Sequence, residues 1–145
     1  MDIQYIGEHL FPGTLGRFSV WIGFLAALVA TVLYFLAFRH EGRKAVLKQW
    51  ARAFYAMHTL ALITVAIVLY YLIINHYFEY SYVWQYSSKE LRMEYIISCF
   101  WAGQEGSFLF WASSQAIVGM VLLRLSRNWE APVMAIFSLA QAFIM

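Results

Sequence analysis

The sequence predicts an all-α integral membrane protein of about four transmembrane helices, the last one truncated, with the N-terminus outside. Three observations carry this prediction. Of the 145 residues, 63% are hydrophobic and only 12% charged, where soluble chains run nearer a quarter charged. Long uncharged runs recur at the length of a bilayer core. Lysine and arginine gather in two connectors. The same composition excludes a disordered chain, a nucleic-acid module and an ordinary soluble enzyme. The formal charge of +2 is too small to call for a polyanionic partner, so membrane lipid is the expected surrounding and nucleic acid is not. A lone cysteine, Cys99, excludes an internal disulfide and a cysteine-based zinc cluster.

The first span is 18–38, an uncharged run that rises about 31 Å as a helix against a hydrocarbon core of about 30 Å. The residues before it carry Asp2 and Glu8 and lack the basic start of a signal peptide, so this run is a retained anchor. The second span is 53–74, with His58 as its one side chain that titrates readily near neutral pH. The third, 106–123, is interrupted by Ser113, Ser114 and Gln115. The fourth run, 131–145, rises only about 22 Å. It is either a short buried or re-entrant helix or, as we prefer, a transmembrane helix of a longer protein. Pro132 suits the first turn of that helix, where its missing N–H costs nothing. Pairs of small residues four apart (Gly23/Ala27, Ala26/Ala30, Ala112/Ala116, Ala131/Ala135) suit close approach of helix backbones.

Orientation follows from the basic residues. Arg39, Arg43, Lys44, Lys48 and Arg52, with Arg124 and Arg127 after the third span, oppose Arg17, Lys89 and Arg92 on the other side. This asymmetry places both connectors in the cytoplasm of a bacterial-type inner (plasma) membrane. The chain is then a single multi-pass region, 1–145, with an outer, periplasmic loop at 75–105.

That outer loop is rich in aromatic residues. Tyr70, Tyr71, Tyr77, Tyr80, Tyr82, Tyr86, Tyr95 and Trp84 form either an aromatic belt at the headgroups or a surface for a flat apolar ligand such as a porphyrin or quinone. The residues 94–101 are too few to span and read as interfacial or re-entrant. Gly103 and Gly106 then bracket Gln104 and Glu105, and Ser107 is placed to cap the following helix. Glu105 is either solvated at that helix N-terminus, where the dipole favours it, or held by Arg92 or a neighbouring helix. Ser107, Trp111 and Gln115 fall at i, i+4 and i+8, a polar-aromatic face expected to point into the bundle. The four histidines form no metal-ligand spacing. His58, beside Met57, could give one axial ligand to a membrane haem; a packed histidine bonded to a neighbour is the alternative. No residue stands out as catalytic, and Cys99 lacks a resolving partner.

The run Trp101-Ala-Gly-Gln-Glu-Gly-Ser-Phe-Leu-Phe-Trp111 resembles the tryptophan–glycine–Glu-Gly-Ser–tryptophan motif of the CcmF/CcsA family, the haem lyases of cytochrome c-type biogenesis. Tyr82-Val83, Ser87-Ser88 and Tyr95 resemble the family's outer segment before that motif. The match is strong across 82–111 and architectural elsewhere. Gln104 departs from the histidine common in the CcmF branch, and Glu90-Leu91-Arg92 replaces the usual Leu-Pro.

The resemblance implies the N-terminal portion of a haem lyase that delivers haem and attaches it by thioethers to apocytochrome c at the outer face, alongside other cytochrome c maturation subunits. It carries over Trp101, Gly103, Glu105, Gly106, Ser107 and Trp111 as motif positions of structural role. Haem is the implied cofactor, with the family's tryptophan-rich binding segment expected beyond residue 145. Two other readings compete. One is a small haem- or quinone-anchoring subunit of a respiratory complex, built on His58 and the outer tyrosines. The other is a purely structural helical subunit.

Overall fold

The computed structural model describes residues 9–145; Asp2 and Glu8, on which the retained-anchor expectation rests, lie outside the described residues. The described chain is helical, with no strand in it. In order come α1 (Leu10–Arg39), α2 (Lys44–Ile74), α3 (Ser81–Tyr86), α4 (Met93–Ser98), α5 (Gln104–Leu125) and α6 (Glu130–Ile144). Short 3₁₀ turns join them at Glu41–Arg43, Cys99–Trp101 and Arg127–Trp129. Among the described residues three helices, α1, α2 and α5, are long and apolar enough to cross a membrane. The fourth expected span, α6, has 15 residues and rises about 22 Å.

The helices overrun the apolar runs that announced them. α1 begins at Leu10 rather than 18, because Pro12 falls in its first turn, where no backbone N–H is needed. The basic connector expected at 39–52 shrinks to a turn: Lys44 to Arg52 already belong to α2. Lysine and arginine are good helix formers, and a helix of 31 residues is longer than the hydrocarbon is thick, so its charged turns continue past it.

The core is made by small residues at helical spacing. Gly23, Ala26, Ala27, Ala30 and Ala37 on α1 are buried, as are Ala112, Ala116 and Gly119 on α5 and Ala131 on α6. Their large neighbours Trp21, Leu25, Val32, Phe35 and Trp111 are exposed. In lipid the apolar side chains gain nothing from leaving hydrocarbon, so close backbone approach decides which face turns inward. α1 packs along α2 and α6, and α5 against α2 and α6.

One end of the bundle is basic. It gathers the C-terminus of α1, the N-terminus of α2 and the α5–α6 connection, where Lys48 Nζ donates to the Arg127 carbonyl at 3.4 Å. The other end is aromatic and carries α3, α4 and the start of α1. There the His9 backbone N–H donates to Glu79 at 2.9 Å, Tyr80 Oη donates to the His9 carbonyl, and the His9 and Tyr77 rings stack at 4.1 Å.

Candidate functional site

The motif residues form a tight corner at the aromatic end, between the 3₁₀ turn and α5. Tyr82 organises it. Its hydroxyl donates to the Phe100 carbonyl at 2.9 Å, shared with the Cys99 carbonyl at 3.1 Å, and accepts from the Gly103 N–H at 3.2 Å. Burial raises the Tyr82 phenol above its usual pKa, which keeps the donor proton in place. A methyl group at Gly106 would overlap both the Phe100 carbonyl and the Tyr82 hydroxyl. One at Gly103 would lie 2.7 Å from a Tyr86 ring carbon and 2.8 Å from one of Tyr82. Both motif glycines are therefore required by close approach rather than by backbone angle.

Ser107 is not the helix cap. Gly103 occupies that position, with no side-chain cap, and Ser107 Oγ instead donates back to the Trp101 carbonyl at 3.0 Å, closing the corner from the helix side. Glu105 lies in the first turn of α5, exposed, and makes no ion pair with Arg92, which binds Glu94 at 2.8 Å. The expected inward face of Ser107, Trp111 and Gln115 holds at Gln115, which meets Gln141 of α6, and is corrected at Trp111. Trp111 is 62% exposed and Trp101 46%, and the two rings flank a shallow notch with Phe110. The buried face of α5 is its small residues, because a tryptophan there would hold the helices apart. Cys99 is buried and its thiol donates to the Tyr95 carbonyl at 3.2 Å; burial pushes the thiol pKa up.

The tyrosines hold backbone. Besides Tyr80 and Tyr82, Tyr70 stacks on Phe100 with ring centres 4.4 Å apart, and its hydroxyl donates to the Ile97 carbonyl at 3.4 Å. Tyr71 and Tyr77 share a hydrogen bond at 3.4 Å.

His58 is fully buried. Nδ1 lies 2.9 Å from the Gly23 carbonyl and Nε2 3.2 Å from the Gln141 amide, whose other end reaches Gln115 at 3.4 Å. The Gln141 amide oxygen faces Nε2, and its NH₂ donates to Gln115 Oε1. The chain Gly23–His58–Gln141–Gln115 thus ties α1, α2, α6 and α5 together through the middle of the bundle.

One cluster was not foreseen from sequence. Glu130, 1% exposed, opens α6 and receives Arg52 through two hydrogen bonds, Nε at 2.7 Å and Nη2 at 2.6 Å. Lys48 Nζ stands 3.1 Å away, and the Tyr34 hydroxyl donates at 3.5 Å. The signal was a glutamate at a helix start opposite a basic connector, which reads equally well as a solvated cap.

The arrangement as a whole has a counterpart. A solved structure titled Cytochrome c Heme Lyase CcmF superposes on 99% of this chain with a TM-score of 0.81 and 25% sequence identity. The chain is CcmF-like. It spans 24% of the length of that CcmF structure. No protein-family model and no curated protein matches it. The CcmF likeness agrees with the resemblance carried by 82–111 and extends it across α1, α2 and α6, where the sequence offered only architecture.

Proposed function

We propose that this chain is a scaffold portion of a longer cytochrome c haem lyase, acting in cytochrome c maturation. The observation that carries the proposal is the CcmF-like fold over 99% of the chain at 24% of the other's length, joined to a motif corner whose glycines and Tyr82 serve construction. In this reading the whole protein holds haem at the outer face and presents its vinyl groups to the reduced thiols of an apocytochrome c, with other maturation subunits beside it. The reactivity belongs to haem and thiols, and the protein contributes binding and orientation. The haem-binding segment lies elsewhere in the longer protein. Here the chain supplies helices and a rigid corner that displays Trp101 and Trp111.

His58 is assigned to helix packing, since both ring nitrogens have protein partners. The same holds for Tyr70, Tyr80 and Tyr82, whose hydroxyls are bonded to backbone carbonyls; this weakens the haem- or quinone-anchoring alternative, which needs them free. The orientation follows the basic residues: the basic end faces the cytoplasm, and the aromatic end lies at the periplasmic face of an inner membrane.

The test is complementation. The full reading frame is expressed with a Cys-x-x-Cys-His apocytochrome in a bacterial strain lacking its own haem lyase, and covalent haem is read by staining. Haem attachment by the full frame, lost in Gly106→Val and lowered in Glu105→Ala, is expected. No attachment by a stably inserted full-length protein would overturn the proposal.

A further inference from the structure

The seam where α1 packs on α6 changes character along its length. At the basic end it opens into a hollow of about 310 Å³ between Phe38 on α1, Lys44 on α2, and Asn128, Trp129 and Pro132 leading into α6. One turn further into the bundle, along the same two helices, lies a second hollow of about 270 Å³, lined by Phe35, Ala135, Ile136 and Leu139. Thr31 also belongs to this second wall, but its hydroxyl is turned onto Ser138 at 2.9 Å. The outer hollow thus offers a cation, an amide and an indole, and the inner one offers hydrocarbon.

We propose that this seam binds one anionic phospholipid, its phosphate at Lys44 and an acyl chain between Phe35 and Ile136. The site goes beyond the haem-lyase reading and does not depend on it. The segments at this end carry five lysines and arginines between 39 and 52, with Arg124 and Arg127, against Glu41 and Glu130. Glu130 is sealed off and matched by Arg52 and Lys48, so it does not repel an anion in the hollow beside it. Arg39 lies over the Phe35 ring, 5.4 Å from its centre, which brings a second cation to the junction of the two hollows. Basic pockets between membrane helices attract anionic headgroups, and Trp129, 73% exposed, suits the headgroup level.

Size and chemistry select this occupant over others. A helix is about 10–12 Å across with its side chains and would lie over the inner hollow, whereas an acyl chain enters and follows it. A free anion would gain the cations and leave the apolar hollow unused. A zwitterionic lipid would bring an ammonium group to an end already in cationic excess.

The test is native mass spectrometry of the full-length protein in detergent, titrated with phosphatidylglycerol and phosphatidylethanolamine of identical acyl chains. One phosphatidylglycerol held in preference to phosphatidylethanolamine is expected. Lys44→Gln should weaken that binding about fivefold, and Lys44→Arg should restore it. Arg124→Gln, an equal loss of charge outside the seam, should leave it unchanged. Ala135→Phe fills the inner hollow and should weaken both lipids without changing their ratio. Equal affinity for the two lipids, or equal losses from Lys44→Gln and Arg124→Gln, would reduce the effect to a diffuse attraction and overturn the site. Phosphatidylglycerol binding untouched by both Lys44→Gln and Ala135→Phe would also overturn it, and would leave the seam to a protein segment.

Discussion

At the scale of single residues, the motif divides into side chains that build and side chains that are displayed. Gly106 admits no side chain because the Phe100 carbonyl and the Tyr82 hydroxyl occupy the space. Gly106→Ala should therefore destabilise the fold by about 1–3 kcal/mol through overpacking. Tyr82→Phe leaves the Phe100 carbonyl and the Gly103 N–H without their partner, at a cost of about 1–3 kcal/mol. Trp111→Ala removes a ring that is 62% exposed and should change stability by no more than about 0.5 kcal/mol. Thermal unfolding in detergent, followed by tryptophan fluorescence, separates these outcomes; equal losses from all three would erase the distinction. In the lyase assay the order should differ, with Trp111→Ala lowering haem attachment despite a normal melt.

At the scale of elements, α6 is held by charge at its first residue and by neutral hydrogen bonds further along. The ion cluster is asymmetric. Glu130 is sealed from solvent, while the Arg52 side chain is 55% exposed. Arg52→Gln leaves a buried carboxylate with Lys48 and the Tyr34 hydroxyl and should cost about 3 kcal/mol. Glu130→Gln leaves cations that can turn to water, and should cost roughly half as much. Unfolding midpoints of the two variants check the order, and a larger loss from Glu130→Gln would contradict it. At the aromatic end, the His9 N–H above all, helped by the His9 ring, holds the Glu79 carboxyl below its usual pKa of 4.5 against the desolvation that would raise it. A depressed carboxylate pKa stabilises above the unfolded value and ceases to do so as pH falls through the folded one. Protection factors of the amides at the start of α1, taken against the intrinsic exchange rate, should thus be constant at neutral pH and fall below about pH 4.5, and Glu79→Gln should remove that fall.

What the sequence revealed at this scale, and what it hid, has a physical pattern. The interiors of α1, α2 and α5 were legible because a bilayer demands some twenty apolar residues in a row. Their ends were not, because Lys44 to Arg52 continue a helix as readily as they form a loop. The buried stripe of α5 is legible in the pair Ala112 and Ala116, whose smallness is what a helix contact in lipid selects; the outward turn of Trp111 is not, because its place beside Ser107 and Gln115 on one face points it inward. The corner at 101–107 was legible as a motif and opaque as a mechanism, since Tyr82 acts on it from about twenty residues away. The partnership of Glu130 with Arg52 spans 78 positions, and nothing local to either residue announces it.

At the scale of the whole molecule, the CcmF-like bundle reads as a frame. Polar groups bond it to its own backbone and side chains: His58 and Gln141 between helices, Tyr82 and Ser107 within the corner, Glu130 at the basic end. Its displayed groups, Trp101 and Trp111, sit at the aromatic end, where further parts of a longer protein would meet it. The most direct measurement is a haem titration of residues 1–145 in lipid nanodiscs, followed by Soret absorbance. If the chain is scaffold, haem should partition without saturation, and His58→Ala should leave the spectrum unchanged. A saturable one-to-one Soret band that disappears in His58→Ala would contradict it, and would make this bundle a haem site in its own right.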